Sequence, residues 1–280
     1  MNATDFILRA QNADGGWGYR AGGMSYVEPT AAVCLALMPR TEHFAALERA
    51  RALLAQLQHA DGGWGIASMD EESGWMTAWA VWALASSNAN AAQRGVAWLE
   101  KNAGTRITDA AQAQGVRDIL KIDPTITGWP WQPGDAAWIF PSALALLALG
   151  AAQVHNHPRV QEGIQYLLDR AIAAGGWNIG NPFMLTSSVP PTVEGTALSL
   201  LALRAHGVEN EITQRAQTWL AQENFTPTAF EWAWRAWYWT TAQHDAERAR
   251  AALNALQRAD GSWDANVFTT AIALMGLEQA

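Results

Sequence analysis

The chain has 280 residues, half of them apolar, enough to bury a substantial core; its formal charge of −8 and lack of any Lys/Arg run exclude a basic surface for nucleic acid or anionic membrane. The single cysteine, Cys34, excludes an internal disulfide framework and any multi-thiolate metal site. One domain over 1–280 is expected, located in the cytoplasm: the start carries Asp5 and Arg9 rather than a basic segment followed by a long apolar run, and the most membrane-like stretch, Ala136 to Ala152, is interrupted by Pro141.

The first element in chain order is a turn, Gln11-Asn-Ala-Asp-Gly-Gly-Trp17, followed by an apolar helix, Thr30-Ala-Ala-Val-Cys-Leu-Ala-Leu37. An amphipathic helix comes next, with Leu47, Ala50, Leu54 and Leu57 on one stripe and Glu48, Arg49 and Arg51 on the other face. Gln58-His-Ala-Asp-Gly-Gly-Trp64 repeats the turn, and Thr77 to Leu84 repeats the apolar helix. Ala92 to Leu99 is a second amphipathic segment, after which about 101–134 forms an insertion containing Pro124, Pro130 and Pro133, either a lid or an irregular surface loop. Apolar helices then recur at Ser142 to Leu149, Thr196 to Leu203, Trp232 to Trp239 and Thr270 to Leu277. Between them lie amphipathic segments at Val160 to Leu168, Ile212 to Leu220 and Ala246 to Leu256, a degenerate turn at Ala171 to Trp177, and a third clear turn, Gln257-Arg-Ala-Asp-Gly-Ser-Trp263.

Apart from Arg235, the apolar helices are uncharged on every side, which predicts burial all round in an inner layer, with the amphipathic helices outside them. The chain therefore alternates outer helix, turn and inner helix, six pairs in all, with no strand expected. In each turn the glycines permit positive φ, the Asp is expected to cap the following segment, and the Trp is expected to pack, with its ring against the Gln. Periodicity alone permits either a closed ring or an open helical solenoid.

The heptapeptides resemble the QW motifs of squalene-hopene and oxidosqualene cyclases, in the terpene cyclase and prenyltransferase superfamily, and the repeats cover nearly the whole chain. The resemblance implies an all-α fold, an α6/α6 toroid of inner and outer helices around a central cavity that binds, and in an enzyme cyclises, an apolar isoprenoid. Class II cyclases of that family carry Asp-x-Asp-Asp-Thr-Ala at the start of one inner helix, the middle Asp being the proton donor. Aligning Thr-Ala places Glu28 and Glu194 at that Asp, as candidate catalytic acids, and Trp75, Phe140, Phe230 and Phe268 at the equivalent position of the other repeats, as candidate substrate-binding residues. Pro29 and Gly195 stand where the family has its second Asp.

A carboxyl among aromatic rings has its charged form disfavoured and can stay protonated near neutral pH, while the ring faces can stabilise a cation. The alternative for Glu28 and Glu194 is an acid at a helix N-terminus that offsets the dipole. Arg235, four residues after Glu231, either neutralises it on one helix face or meets an anionic ligand head. Asp70-Glu71-Glu72 lacks aspartate-rich spacing and reads as a solvated loop. Ala32 stands where prenyltransferases have a zinc-binding Asp two residues before their Cys, so Cys34 reads as a core residue; neither a metal nor another cofactor is expected. Two other functions remain open: a non-catalytic interaction scaffold of the same fold, its cavity filled by side chains, and a carbohydrate-active α/α toroid using two carboxylates.

Overall fold

The computed structural model describes residues 2–184, 186–222, 228–244 and 247–277. Among the described residues there are thirteen α-helices, twelve of which form six consecutive pairs. In chain order these are α1 (Ala3–Arg9) and α2 (Val27–Leu37), then α3 (Phe44–Gln56) and α4 (Met76–Leu84). Next come α5 (Ala89–Lys101) and α7 (Ile139–Ala151), with α6 (Ala110–Leu120) between them, then α8 (Pro158–Asp169) and α9 (Val193–Ala205). The last pairs are α10 (Glu211–Ala221) with α11 (Ala229–Thr241), and α12 (Glu247–Ala255) with α13 (Val267–Leu277). In five of the pairs the first member is an outer helix expected from the sequence, whereas α1 was not singled out there; Ala246, expected to begin the last one, lies outside the described residues. The all-helical architecture of six pairs is that read from the repeats.

Composition explains the division of labour. The second members are rich in Ala and Leu, strong helix formers, and nearly every residue of α2, α7, α9 and α13 is buried. An outer helix such as α3 buries only a stripe, Leu47, Ala50, Leu53 and Leu54. Several outer helices are started by side chains: Asn2 and Asn210 form capping boxes, and His157 precedes Pro158 at the first turn of α8.

The chain divides into two compact units, residues 1–95 with 225–280, and residues 96–224. In the first, α2 packs between α4 and α13, and α13 also meets α1 and α11. In the second, α7 packs on α9, backed by α8 and α10.

Tryptophan rivets five of the six pairs, four of them through the turn heptapeptides. The indole N–H of Trp17 donates to the Ile7 carbonyl, that of Trp64 to Leu54, of Trp177 to Leu167 and of Trp263 to Leu253, always ten residues back on the outer helix. The backbone N–H of the same Trp donates to a hydroxyl on the inner helix: Thr30, Thr77, Thr196 and Thr270 at 2.9–3.1 Å. All four Trp side chains are fully buried. The recurring Thr is thus a structural partner of the turn.

A fifth rivet escapes the heptapeptide pattern. Trp129 donates its indole N–H to Leu99, thirty residues back, and its backbone N–H to Ser142 Oγ at 2.8 Å. The insertion intervenes between Leu99 and Trp129 and contributes α6, running from its Asp109 cap to Lys121 at φ 58°.

The Gln amide is spent on backbone carbonyls. The Gln58 side-chain amide donates to Gly62 and to Ala91 of the following outer helix, both at 2.9 Å, and Gln11 does the same with Gly15 and Ala46. The turn Asp closes its own turn rather than capping the next segment: Asp14, Asp61 and Asp260 accept from the backbone N–H two residues on. Buried carbonyls must be satisfied, and the amide does this. The middle of each turn does need glycine: Gly62 sits at φ 95°, and a Cβ there would lie 2.7 Å from the Arg94 carbonyl.

At three inner-helix starts, one recurring bond reaches a neighbouring turn. The first N–H of α2 donates to Ile66 and that of α7 to Ile179, each residue lying two after the Trp of a following turn. The first N–H of α13 donates to Tyr19, two after Trp17, so the last repeat is followed by the first in the same geometry. A hairpin of two-residue strands, β1 (Phe183–Met184) and β2 (Ser187–Ser188), had not been expected.

Candidate functional site

Glu28 lies in the first turn of α2 and is only 7% exposed. Its Oε2 accepts a short hydrogen bond from the Tyr19 hydroxyl, and α2 has no side-chain cap, so the carboxyl is turned toward Tyr19 and not back onto its own helix. Burial pushes Glu28 up to about 7. Tyr19 opposes that rise by donating to the charged form. The Trp79 indole N–H is buried without a hydrogen-bond partner of good geometry, yet it lies close enough to the same carboxyl to act in the same sense. Tyr19 itself is pushed well above the usual phenol range, by burial first and then by the Glu28 charge, so it stays a donor.

Beside the carboxyl, six rings close a circuit. Phe268 meets Trp79 at 5.6 Å, Trp79 meets Trp82 at 5.9 Å, and Trp82 meets Trp237 at 5.5 Å between centroids. Trp237 then meets Trp234 at 5.2 Å, Trp234 meets Phe230 at 6.0 Å, and Phe230 returns to Phe268 at 6.1 Å. Tyr19 touches the circuit at Phe268, 6.3 Å away. These are contact separations for stacked and edge-to-face pairs. The rings come from α4, α11 and α13, held by the inner-layer packing.

Of the residues expected from the sequence, Glu28, Phe230 and Phe268 are thus brought into one cluster. Trp75 is half-buried, just ahead of α4 in the same unit. Glu194 and Phe140 belong to the other unit. Glu194 is half-buried in the first turn of α9, whose cap is made by Thr192, and Phe140 stacks on Trp131 at 5.9 Å. Arg235 is buried, with its guanidinium 4.9 Å from the Trp232 ring. The Glu231 carboxylate accepts from the backbone N–H and hydroxyl of Thr228 in a capping box, while its charge still acts on Arg235 and supports the guanidinium against the burial that lowers its pKa. The cap forms because the N–H and hydroxyl are local and already oriented.

Cys34 is fully buried and burial pushes its thiol up to about 12, the behaviour of a core residue. Among the described residues no three His, Cys, Asp or Glu side chains gather as metal ligands, and no helix is long and apolar enough to cross a membrane. Asp70 accepts from the backbone N–H groups of Ile66 and Glu72 and so shapes an exposed loop.

Tyr19, Trp79, Trp82, Trp234 and Trp237 were not singled out by sequence. Tyr19 had a signal: it stands two after the turn Trp, where the equivalent residues are Ile66 and Ile179.

Residues 1–119, which contain Tyr19, Glu28, Trp79 and Trp82, match the squalene-hopene cyclase C-terminal domain family. The type II terpene cyclase MstE from Scytonema, solved as a variant with geranylgeranyl dihydroxybenzoate, superposes with a TM-score of 0.64 at 20% identity over 98% of this chain and 94% of that one. The fold is terpene cyclase-like. A protein from Actinoplanes is similar over 98% of this chain and 96% of that one, at 19% identity and a TM-score of 0.66. An α-1,6-mannanase from Salegentibacter, in complex with α-1,6-mannotriose, has a TM-score of 0.67 at 10% identity over the same shares. No curated protein sequence matches the chain. A terpene cyclase-like fold therefore hosts more than one chemistry, and the side chains of the site have to decide.

Proposed function

We propose that the chain binds an apolar isoprenoid and that Glu28 is a general acid, delivering a proton to an epoxide oxygen or electron-rich double bond of that substrate. The observation that carries this reading is the Tyr19–Glu28 pair set against the aromatic circuit. A carboxyl that titrates at about 7 is substantially protonated at neutral pH and can donate. After it donates, the Tyr19 hydroxyl and the Trp79 N–H stabilise the carboxylate left behind. Those donors do for Glu28 what the family's second Asp would do, at a position here taken by Pro29. The developing cation faces Trp, Phe and Tyr rings, whose quadrupoles stabilise positive charge without offering a base.

The circuit also favours a second reading. Six rings in mutual contact fill space that a ligand would need, as in a scaffold whose interior is packed by its own side chains. The carbohydrate reading has less behind it: among the described residues no second carboxyl acts on Glu28.

The deciding experiment incubates the purified protein with squalene, a linear isoprenoid terminal epoxide and prenyl diphosphates, with Glu28→Gln in parallel. Conversion that fades above pH 7 and is lost in a folded Glu28→Gln variant is expected. Absence of binding by every isoprenoid, or full turnover in Glu28→Gln, would sink the assignment.

A further inference from the structure

The insertion walls a half-open pocket, and none of the lining residues belongs to the Glu28 cluster. Within residues 96–224, a cavity of about 220 Å³ lies between the insertion, the loop before α7 and the face of α8. Its apolar wall includes Val116 and Leu120 of α6, Ile122, Ile126 and Trp138. Along α6, Ala113, Val116 and Leu120 fall on one face by helical spacing, yet only Ala113 is fully buried. Val116 and Leu120 face empty space where a core would put protein atoms.

The wall is built and held. The Gly104 N–H donates to Gly128, Thr105 to Asp135 and Ile107 to Pro124, fastening both arms of the insertion. Arg106 grips Glu162 of α8 with both carboxylate oxygens, and Arg117 pairs with Asp123 at 2.8 Å. So many fastenings keep the cavity open where a loose loop would collapse into it.

The polar groups narrow the ligand. Arg170 is the one charged residue in the lining, and it is already neutralised by Asp169 and held by the Asp123 carbonyl, so the wall offers no net charge. Tyr166 spends its hydroxyl hydrogen on the Ala137 carbonyl and its oxygen already faces the Arg170 guanidinium, so the contacts for a polar ligand end fall to other groups. Side chains of Thr105, Thr127 and Asn181 complete the polar minority.

We infer that this cavity is a second binding site, independent of Glu28, for a small uncharged molecule with an apolar body and one hydroxyl-like end. An apolar cavity of about 150 Å³ takes benzene, so this one accommodates roughly ten non-hydrogen atoms. The insertion supplies most of its apolar wall and is there to form it.

Straight-chain primary alcohols from hexanol to tetradecanol, titrated calorimetrically into the whole protein, test the inference. Affinity should peak near octanol to decanol and fall for longer chains. Val116→Trp, which fills the space, should weaken binding at least tenfold while the melting temperature holds or rises. Leu120→Ala, which enlarges it, should move the optimum to a longer chain, and this readout survives even if Val116→Trp fails to fold. Binding unchanged in Val116→Trp, an optimum unmoved in Leu120→Ala, or no alcohol binding to the native protein would each overturn the site. Binding lost in Glu28→Gln but retained in Val116→Trp would place the alcohol with the Glu28 cluster and overturn it equally.

Discussion

Tyr19 donates its hydroxyl hydrogen to Glu28 while its backbone carbonyl accepts the first N–H of α13, so the residue that tunes the buried acid also ties the last repeat to the first. The acid's environment is therefore anchored by the repeat bond itself. That backbone bond is left in place by any change of the Tyr19 side chain.

Tyr19→Phe separates the two roles. The backbone bond to α13 remains, so the fold should persist with little loss of stability. Loss of the hydroxyl removes a donor to the charged form, so Glu28 should titrate higher than its present value of about 7. The protonated carboxyl stretch, followed by infrared difference spectroscopy against Glu28→Gln, reads this directly. A carboxyl that titrates at unchanged or lower pH in Tyr19→Phe would show that the hydrogen bond does not govern it.

Glu28 also makes a signed contribution to stability. Its value rises from an ordinary 4.5 to about 7 in the folded chain, so the folded state binds the proton more tightly. That contribution is fully present below about 4.5 and is lost as pH rises through about 7, amounting to roughly 3 kcal/mol for a group this buried. His206 works in the opposite sense, because burial holds it below 6.5 and its contribution is lost as pH falls. The measurement is accordingly a difference. Denaturant unfolding of native protein and Glu28→Gln at pH 5 and pH 8 should show Glu28→Gln gaining on the native chain by about 2–3 kcal/mol at the higher pH. An equal gap at both pH values would contradict the buried-acid reading.

Much of the fold was legible because its signals are local. Thr-Ala near four of the six inner-helix starts, the stripe of α3 and the turn glycines all follow from spacing along a few residues. The site was only partly legible. Glu28, Phe230 and Phe268 were found by repeat equivalence, whereas Trp79, Trp82, Trp234 and Trp237 looked like ordinary buried-helix residues, because nothing in one helix says which rings a neighbouring helix will bring to them. The hydrogen bonding of Gln58 was illegible for the same reason: its carbonyl partner Ala91 lies thirty-three residues away. Helical spacing shows Glu231 and Arg235 sharing a face, but not that the Glu231 carboxylate also caps the helix at Thr228.

Gly62→Ala tests the turn. At φ 95° an alanine is strained, and its Cβ would sit 2.7 Å from the Arg94 carbonyl of the next outer helix, a backbone atom that cannot swing away. A cost of about 1–3 kcal/mol is expected from strain alone, with the contact adding to it. Gly115→Ala is the control: it lies in α6 with nothing within 4 Å of its added Cβ, and should be neutral or stabilising. Equal effects from the two would mean that the turn is looser than its hydrogen bonds imply.

Trp129 offers the sharpest test of the repeat. It lacks the heptapeptide around it, yet it stands thirteen residues before Ser142, the interval that separates Trp17 from Thr30 and Trp64 from Thr77. Its indole hydrogen bond to Leu99 matches that of Trp64 to Leu54, although twenty more residues intervene. Arg159 lies over its ring at 4.1 Å and donates to the carbonyl of Gly128 at 3.1 Å, binding the motif-less turn to the next outer helix as Gln58 binds its own. If packing and the two hydrogen bonds make the rivet, Trp129→Ala should cost as much as Trp64→Ala, about 3–5 kcal/mol in each case. Trp131→Ala, two residues on and half-buried against Phe140, should cost only about 1–2 kcal/mol. Chemical denaturation of the three variants decides the matter. A Trp129→Ala loss no larger than that of Trp131→Ala would show that the heptapeptide sequence, and not the Trp's bonds to both helices, is what holds a pair together.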